Sequence, residues 1–145
     1  SADLEFSGAI FTNVAVRFRG NGTYLGSLWG TKQSFKADLN KVVKGQELAG
    51  VRTLNFLNLI EDRSFMHDTL GYELFRTAGV PSPRTAYAWL TMTVSGQFER
   101  TPLGLYLMVE NIDEDFAKAR FGSKKAPVLS SRPTSGDPKA NRIRR

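Results

Sequence analysis

The chain has 145 residues, 41% of them hydrophobic and ten of them Phe, which suits one folded domain with a real core and excludes the disordered and collagen-like classes. With no Cys and a single His, His67, it excludes disulfide scaffolds, CxxC metal sites, cysteine nucleophiles and multi-histidine metal centres. A net charge of +6 and a pI near 9.8 favour an anionic partner, but the excess is uneven: from Lys118 to Arg145 there are nine Lys or Arg and one acid, Asp137, and the remainder is close to neutral.

In chain order, the first predicted element is a strand over residues 8–19, where Val14, Val16 and Phe18 alternate with Ala15, Arg17 and Arg19. The turn residues Arg19-Gly20-Asn21-Gly22-Thr23 end it, and Gly26 and Gly30 keep the next stretch loop-like. A second strand over 32–39 sets Phe35, Ala37 and Leu39 on one face and Ser34, Lys36 and Asp38 on the other. A third, over 51–60, is more apolar and so more central, with Leu54 and Phe56 on one side. Residues 64–78 predict the main helix: Phe65, Leu70, Leu74 and Phe75 form a stripe, Asp62 or Ser64 caps the start, and Gly79 with Pro81 stops it.

Two further strands follow, over 85–94 and 103–109, joined by a connection over 95–102 that bends at Gly96. Asp113, Glu114 and Asp115 favour the amino end of a short helix over 113–120. From Gly122 onward large apolar side chains almost vanish, so residues 123–145 are expected to form a flexible basic tail on a 1–122 domain. There are no internal repeats. No run of 18 apolar residues predicts a membrane span, and no signal peptide opens the chain, which begins at Ser1. The predicted class is α+β: a mostly antiparallel sheet of about five strands with one main helix packed on it. Its core is expected to include Val16, Phe18, Phe35, Leu54, Phe56, Leu70, Leu74, Phe75, Leu105 and Leu107.

Several residues could carry chemistry. Lys36 sits mid-strand, opposite Phe35 and Ala37. A solvated lysine is the commoner meaning of such a residue. A strand lysine can also hold the phosphates of ATP, given a helix carboxylate to orient it, and Glu73 on the long helix is available. The glycines around Asn21 would let backbone amides approach an anion, with Arg19 adding charge, although Gly-Asn-Gly is also an ordinary turn. Arg84 follows Pro81-Ser82-Pro83, which stiffens a turn and offers either a surface arginine or an anion-binding one. Glu110, Asp113, Glu114 and Asp115 could supply oxygens to a metal, but acids that favour a helix start are the commoner meaning for all except Glu110. No catalytic Ser, Cys or Asp constellation is apparent for His67, and it is not assigned to catalysis.

Four ordered stretches resemble one family. "VRFRGNGT" resembles a strand ending in an RGN turn, and "TKQSFKADL" resembles a K-x-S-[FY]-K strand. "LNFLNLIEDRSFMHDTLGYELFRTAGVPSPRTAYAWLTM" and "LGLYLMVENIDEDFAKARFG" resemble the two longer blocks that follow in the CotH kinase family. The likeness covers about residues 12–122. It implies the nucleotide-binding lobe of an atypical, secreted or surface-associated protein kinase, resembling a kinase N-lobe. Such an enzyme uses ATP with Mg or another divalent metal to phosphorylate Ser on surface or coat proteins. By this resemblance Lys36 matches the second lysine of the K-x-S-[FY]-K strand, Glu73 the acidic residue of the [AG]-Y-[DE]-L-F-R helix and Glu110 the glutamate ending the G-L-Y-L strand, and with Arg19 and Arg84 they make the candidate nucleotide site.

Relatives carry their catalytic and metal-binding aspartates in a later helical region. The sequence here turns instead into "SKKAPVLSSRPTSGDPKANRIRR", so no catalytic or metal-binding residue is assigned, and this stretch alone is expected to transfer no phosphate. The connection "SGQFERTPLGLYL" is also longer than the family's usual hairpin. The rival reading is a kinase-derived surface module that binds a protein or polyanion without catalysis. Nucleic-acid binding ranks last, because no folded face interleaves basic with aromatic residues.

Overall fold

The computed structural model describes residues 1–19 and 32–123. The expected glycine turn after Arg19 and all but the first residue of the expected tail lie outside them. The chain divides into two units, Ser1–Asn111 and Ile112–Arg145. The first contains β1 (Ala2–Phe6), β2 (Ala9–Phe18), β3 (Phe35–Asp38), β4 (Thr53–Leu57), α1 (His67–Thr77), β5 (Thr85–Val94) and β6 (Phe98–Glu110). The second contains α2 (Glu114–Phe121).

The strands form one antiparallel sheet in the order β1-β2-β3-β4-β6-β5. This bears out the mostly antiparallel sheet and corrects the strand count to six. The strand that the sequence reading missed is β1, closed onto β2 by Ser7 and Gly8 with φ of 49° and 82°. Two positive φ values define the hairpin turn whose twist matches the strands, and Ser-Gly after alternating Leu4 and Phe6 is its signal.

A core forms on one face. Phe11, Val14, Ala37, Leu54, Phe56, Tyr106 and Met108 are buried there, with Phe35 stacked on Phe56 at 4.6 Å between ring centroids. Phe11 and Val14 share this face despite their odd spacing, because the β1–β2 register slips by one residue on β2, where Asn13 has φ of 51°. Of the expected core, Leu54, Phe56 and Leu107 are buried, and Phe35 and Leu105 are half-buried. Val16 and Phe18 are exposed. They are on the predicted face, but the sheet curls so that β1 and β2 on one side and β5 and β6 on the other line an open apolar groove of about 410 Å³. Val16 and Phe18 border that groove instead of filling it.

The helix is a second correction. Leu70, Leu74 and Phe75 are 55%, 70% and 53% exposed, and α1 buries no residue fully. Its sheet side is the neighbouring stripe Thr69, Tyr72 and Arg76, spaced i, i+3, i+7. Tyr72 packs against the small cluster of Leu57, Leu59, Leu107 and Val109 on the face opposite the main core. Thr69 hydrogen-bonds the Tyr87 hydroxyl, and Arg76 donates to the Pro83 carbonyl at 2.5 Å. Polar tethers hold this side, so the apolar stripe does not mark the packed face.

Ahead of α1, the Asp62 carboxylate accepts the backbone N–H of Ser64 and His67, while the Ser64 hydroxyl accepts that of Met66. The helix thus starts at His67, later than read, with Met66 in the cap position and no side-chain cap; of the two residues named as caps, Asp62 takes the first helical N–H, that of His67, and Ser64 lies outside the helix. In the second unit, α2 is capped by Asp113, which accepts from Asp115 and Phe116, and ends at Gly122 with φ of 71°. No helix among the described residues is long and apolar enough to cross a membrane.

Candidate functional site

The face opposite the main core carries a polar row set by strand register. Arg17 pairs with Lys36, Lys36 with Asn55, and Asn55 with Val109. In an antiparallel sheet directly opposed residues share a face, so these side chains stand in line across four strands. The Lys36 ammonium donates to Asn111 Oδ1 at 3.0 Å. Asn55 is buried, and its amide donates to Val109 O and to Asn111 Oδ1, each at 3.4 Å. Asn111 in turn donates its backbone N–H to Thr53 O at 3.1 Å. Lys36 is therefore held in one position by an amide that β4 itself braces.

Beside it lies a depression of about 470 Å³ lined by Ala15, Arg17, Lys36, Asp38, Asn40, Lys41 and Lys44. Four of these are cations and one is an acid. The loop that brings Lys41 and Lys44 there is built by its own side chains. Asp38 Oδ1 accepts Asn40 N–H at 3.2 Å, Asn40 Oδ1 accepts Gly45 N–H at 2.6 Å, and Lys44 Nζ donates to the carbonyls of Asn40 and Lys41. Gly45 sits at φ of 87°, a conformation costly for any residue with a Cβ. Gln46 ties the loop to β2 by exchanging hydrogen bonds with both the N–H and the C=O of Thr12.

The five residues proposed from sequence fall into three places. Lys36 and Arg19 share one sheet face: Arg19 N–H donates to Ser34 O at 2.8 Å, and its charge is felt at the Tyr72 phenol. Burial, helped by the Asp68 charge, raises the Tyr72 pKa, and Arg19 opposes the rise. Glu73 does not reach for Lys36; its carboxylate forms an ion pair with Arg76, one turn along α1. Arg84 and Glu110 meet on the core face, where the guanidinium grips the carboxylate in a fork with both contacts at 3.2 Å. Arg84 N–H also donates to Glu110, Glu110 N–H donates to Arg84 O, and Arg84 Nη1 donates to Ala49 O. This pair clamps the start of β5 to the end of β6.

The sequence reading missed Arg17, Asn55, Asn111, Lys41 and Lys44. Arg17 was legible through the alternation that put it on the polar face of β2. Lys41 and Lys44 lay between Asn40 and Gly45, a loop signal after a strand. Nothing local marks Asn111, whose place depends on β4 and β6 being neighbours. The "TKQSFK" motif also has a structural side: Ser34 Oγ accepts Asn58 N–H at 3.0 Å and Asn58 Nδ2 donates to Lys32 O at 2.9 Å, tying the entry of β3 to the exit of β4. The Lys32 ammonium lies 5.6 Å from the centre of the Tyr106 ring.

An antiparallel sheet presenting a braced strand lysine beside a cation-lined depression is chemistry suited to a phosphate-bearing ligand. Comparison with known families agrees: a model described as CotH kinase protein matches residues 16–141, and the chain belongs to that family. It is a kinase-related domain. No curated protein matches the chain significantly.

Proposed function

We propose that this chain supplies the nucleotide-holding part of a CotH-type protein kinase, which transfers phosphate from ATP to Ser on a surface or coat protein. The observation that carries this reading is Lys36, fixed by Asn111 at the rim of a depression with Arg17, Lys41 and Lys44. Such an array suits the neutralisation of a polyphosphate, and phosphoryl transfer depends chiefly on positioning and charge neutralisation. The reading is supported by a strand lysine and the helix α1 on the same face of an antiparallel sheet, as a kinase N-lobe would require. Glu73 would have to leave Arg76 to orient the lysine, as a helix carboxylate does in kinases. By the same family reading the protein acts outside the cell or at its surface.

The fit to the implied cofactors is uneven. The cations suit the nucleotide. Among the described residues no group of three or more His, Cys, Asp or Glu could hold a metal ion, so the divalent metal finds no donor set there and no step is derived through it.

The test is a titration of the protein with a fluorescent ATP analogue. Removing one charge-assisted contact costs about 1.5–3 kcal/mol, so Lys36→Ala should weaken binding tenfold or more, and Lys41→Ala with Lys44→Ala should weaken it and flatten its salt dependence. Equal affinity of the natural chain and both variants would sink the site. No binding of the analogue, with binding to a protein or polyanion instead, would favour the non-catalytic surface module.

A further inference from the structure

The two outer strands of the sheet are built differently. β1 has five residues and carries Asp3 and Glu5. A short edge with acids resists pairing with another chain. β5 runs for ten residues, TAYAWLTMTV, without a charge, a Pro or a Gly. Among the described residues its only hydrogen-bonded neighbour is β6, so a row of backbone N–H and C=O groups faces outward.

Bulges commonly twist an edge out of use. Here both register slips of the hairpin put the extra residue on β6. Leu90 and Thr91 face Gly104 and Pro102, and Met92 and Val94 face Thr101 and Phe98. β5 itself is regular throughout. Its face away from the main core presents Tyr87, Trp89, Thr91 and Thr93, and Trp89 is 69% exposed.

We propose that β5 pairs antiparallel with β5 of a second copy of this chain about a two-fold axis, joining two sheets into one. The edge is neutral along its whole length, so two copies meet without charge repulsion, whereas β1 would bring acid against acid. With one edge open and the other guarded, the assembly closes at two. Opposed residues must share a face, so the axis passes through a residue pair. Centred on Trp89, it lays that ring against its own copy and sets Tyr87 opposite Thr91 and Thr85 opposite Thr93. Stable interfaces bury on the order of 1,200–2,000 Å² in total, more than one strand pair supplies, so the dimer is reversible and concentration-dependent.

This inference does not depend on the nucleotide reading. Sedimentation equilibrium of the whole chain should show a monomer–dimer equilibrium, and Trp89→Lys with Thr91→Lys should shift it to monomer with the far-UV circular dichroism unchanged. A monomer at every concentration, or a dimer that persists in the lysine variant, overturns the proposal. Because the chain has no Cys, Trp89→Cys gives an independent readout that survives any folding defect of the lysine variant. Mild oxidation should link it into a dimer while Thr12→Cys, exposed on β2, stays monomeric. Equal crosslinking of the two would overturn the Trp89-centred pairing.

Discussion

Replacing Arg84 with Ala tests whether the fork between β5 and β6 stabilises the fold. The change removes both guanidinium contacts to Glu110 and the one to Ala49 O at 3.0 Å, while the Glu110 side chain stays in place, 9% exposed. A buried carboxylate stripped of its partner typically costs about 3–5 kcal/mol. Arg84 is itself 48% exposed, so water enters the vacated space and the expected loss falls to about 2 kcal/mol. The backbone N–H of Arg84 remains bonded to Glu110 Oε2 at 3.1 Å and limits the damage further. Urea unfolding followed by circular dichroism measures the loss as a lower midpoint at unchanged slope. Adding Glu110→Gln to Arg84→Ala removes the charge that has lost the guanidinium and should recover part of the stability. A loss below about 0.5 kcal/mol for Arg84→Ala would show a pair no stronger than an exposed surface bridge, and the clamp argument would fail.

Truncating α1 checks which side of the helix packs. Leu70→Ala and Leu74→Ala should each change stability by less than about 0.5 kcal/mol, the range of surface substitutions, while Leu107→Ala, fully buried, should cost about 2–5 kcal/mol. Comparable losses at all three positions would restore the helix stripe to the core. Asp62 predicts a pH dependence. Its pKa is lowered from the ordinary 3.8 to about 2, first by the Ser64 hydroxyl and then, against some burial, by the backbone N–H groups of His67 and Ser64 and the His67 ring. The folded state therefore binds this proton less readily than the unfolded one, and its stabilisation is complete above pH 4 and lost as pH falls towards 2. The stability gap between the natural chain and Asp62→Asn should close over that window; a gap that stays constant would refute the assignment.

Most strands were legible because alternation and turn residues act locally. Residues 85–94 form β5 as read, and Asp113 caps α2 where the acids clustered. The helix was found, but its buried side was not. Leu70, Leu74 and Phe75 are the more apolar stripe, whereas the side that meets the sheet is chosen by where Tyr87 and Pro83 offer partners to Thr69 and Arg76. No pattern inside the helix encodes that choice. The candidate site divides in the same way. Lys36 and Arg17 follow from strand parity, but the amide that braces Lys36 is 75 residues away, and only the β4–β6 pairing brings it there. Glu73, read as a lysine partner, has a nearer cation in Arg76, which lies three positions along the same helix.

The strand order carries a consequence for how the chain reaches this fold. β1 with β2, and β5 with β6, are hairpins whose partners are neighbours in sequence and can zip early. The centre of the sheet is different: β4 must wait for β6, with α1 and β5 lying between them, as Leu54 opposite Glu110 shows. Closing so long a loop loses chain entropy before any contact is gained, so this joint is expected to form more slowly than the hairpins. During synthesis, β4 leaves the ribosome with β3 on one side and an empty place on the other, and it stays that way until the end of β6 has been made.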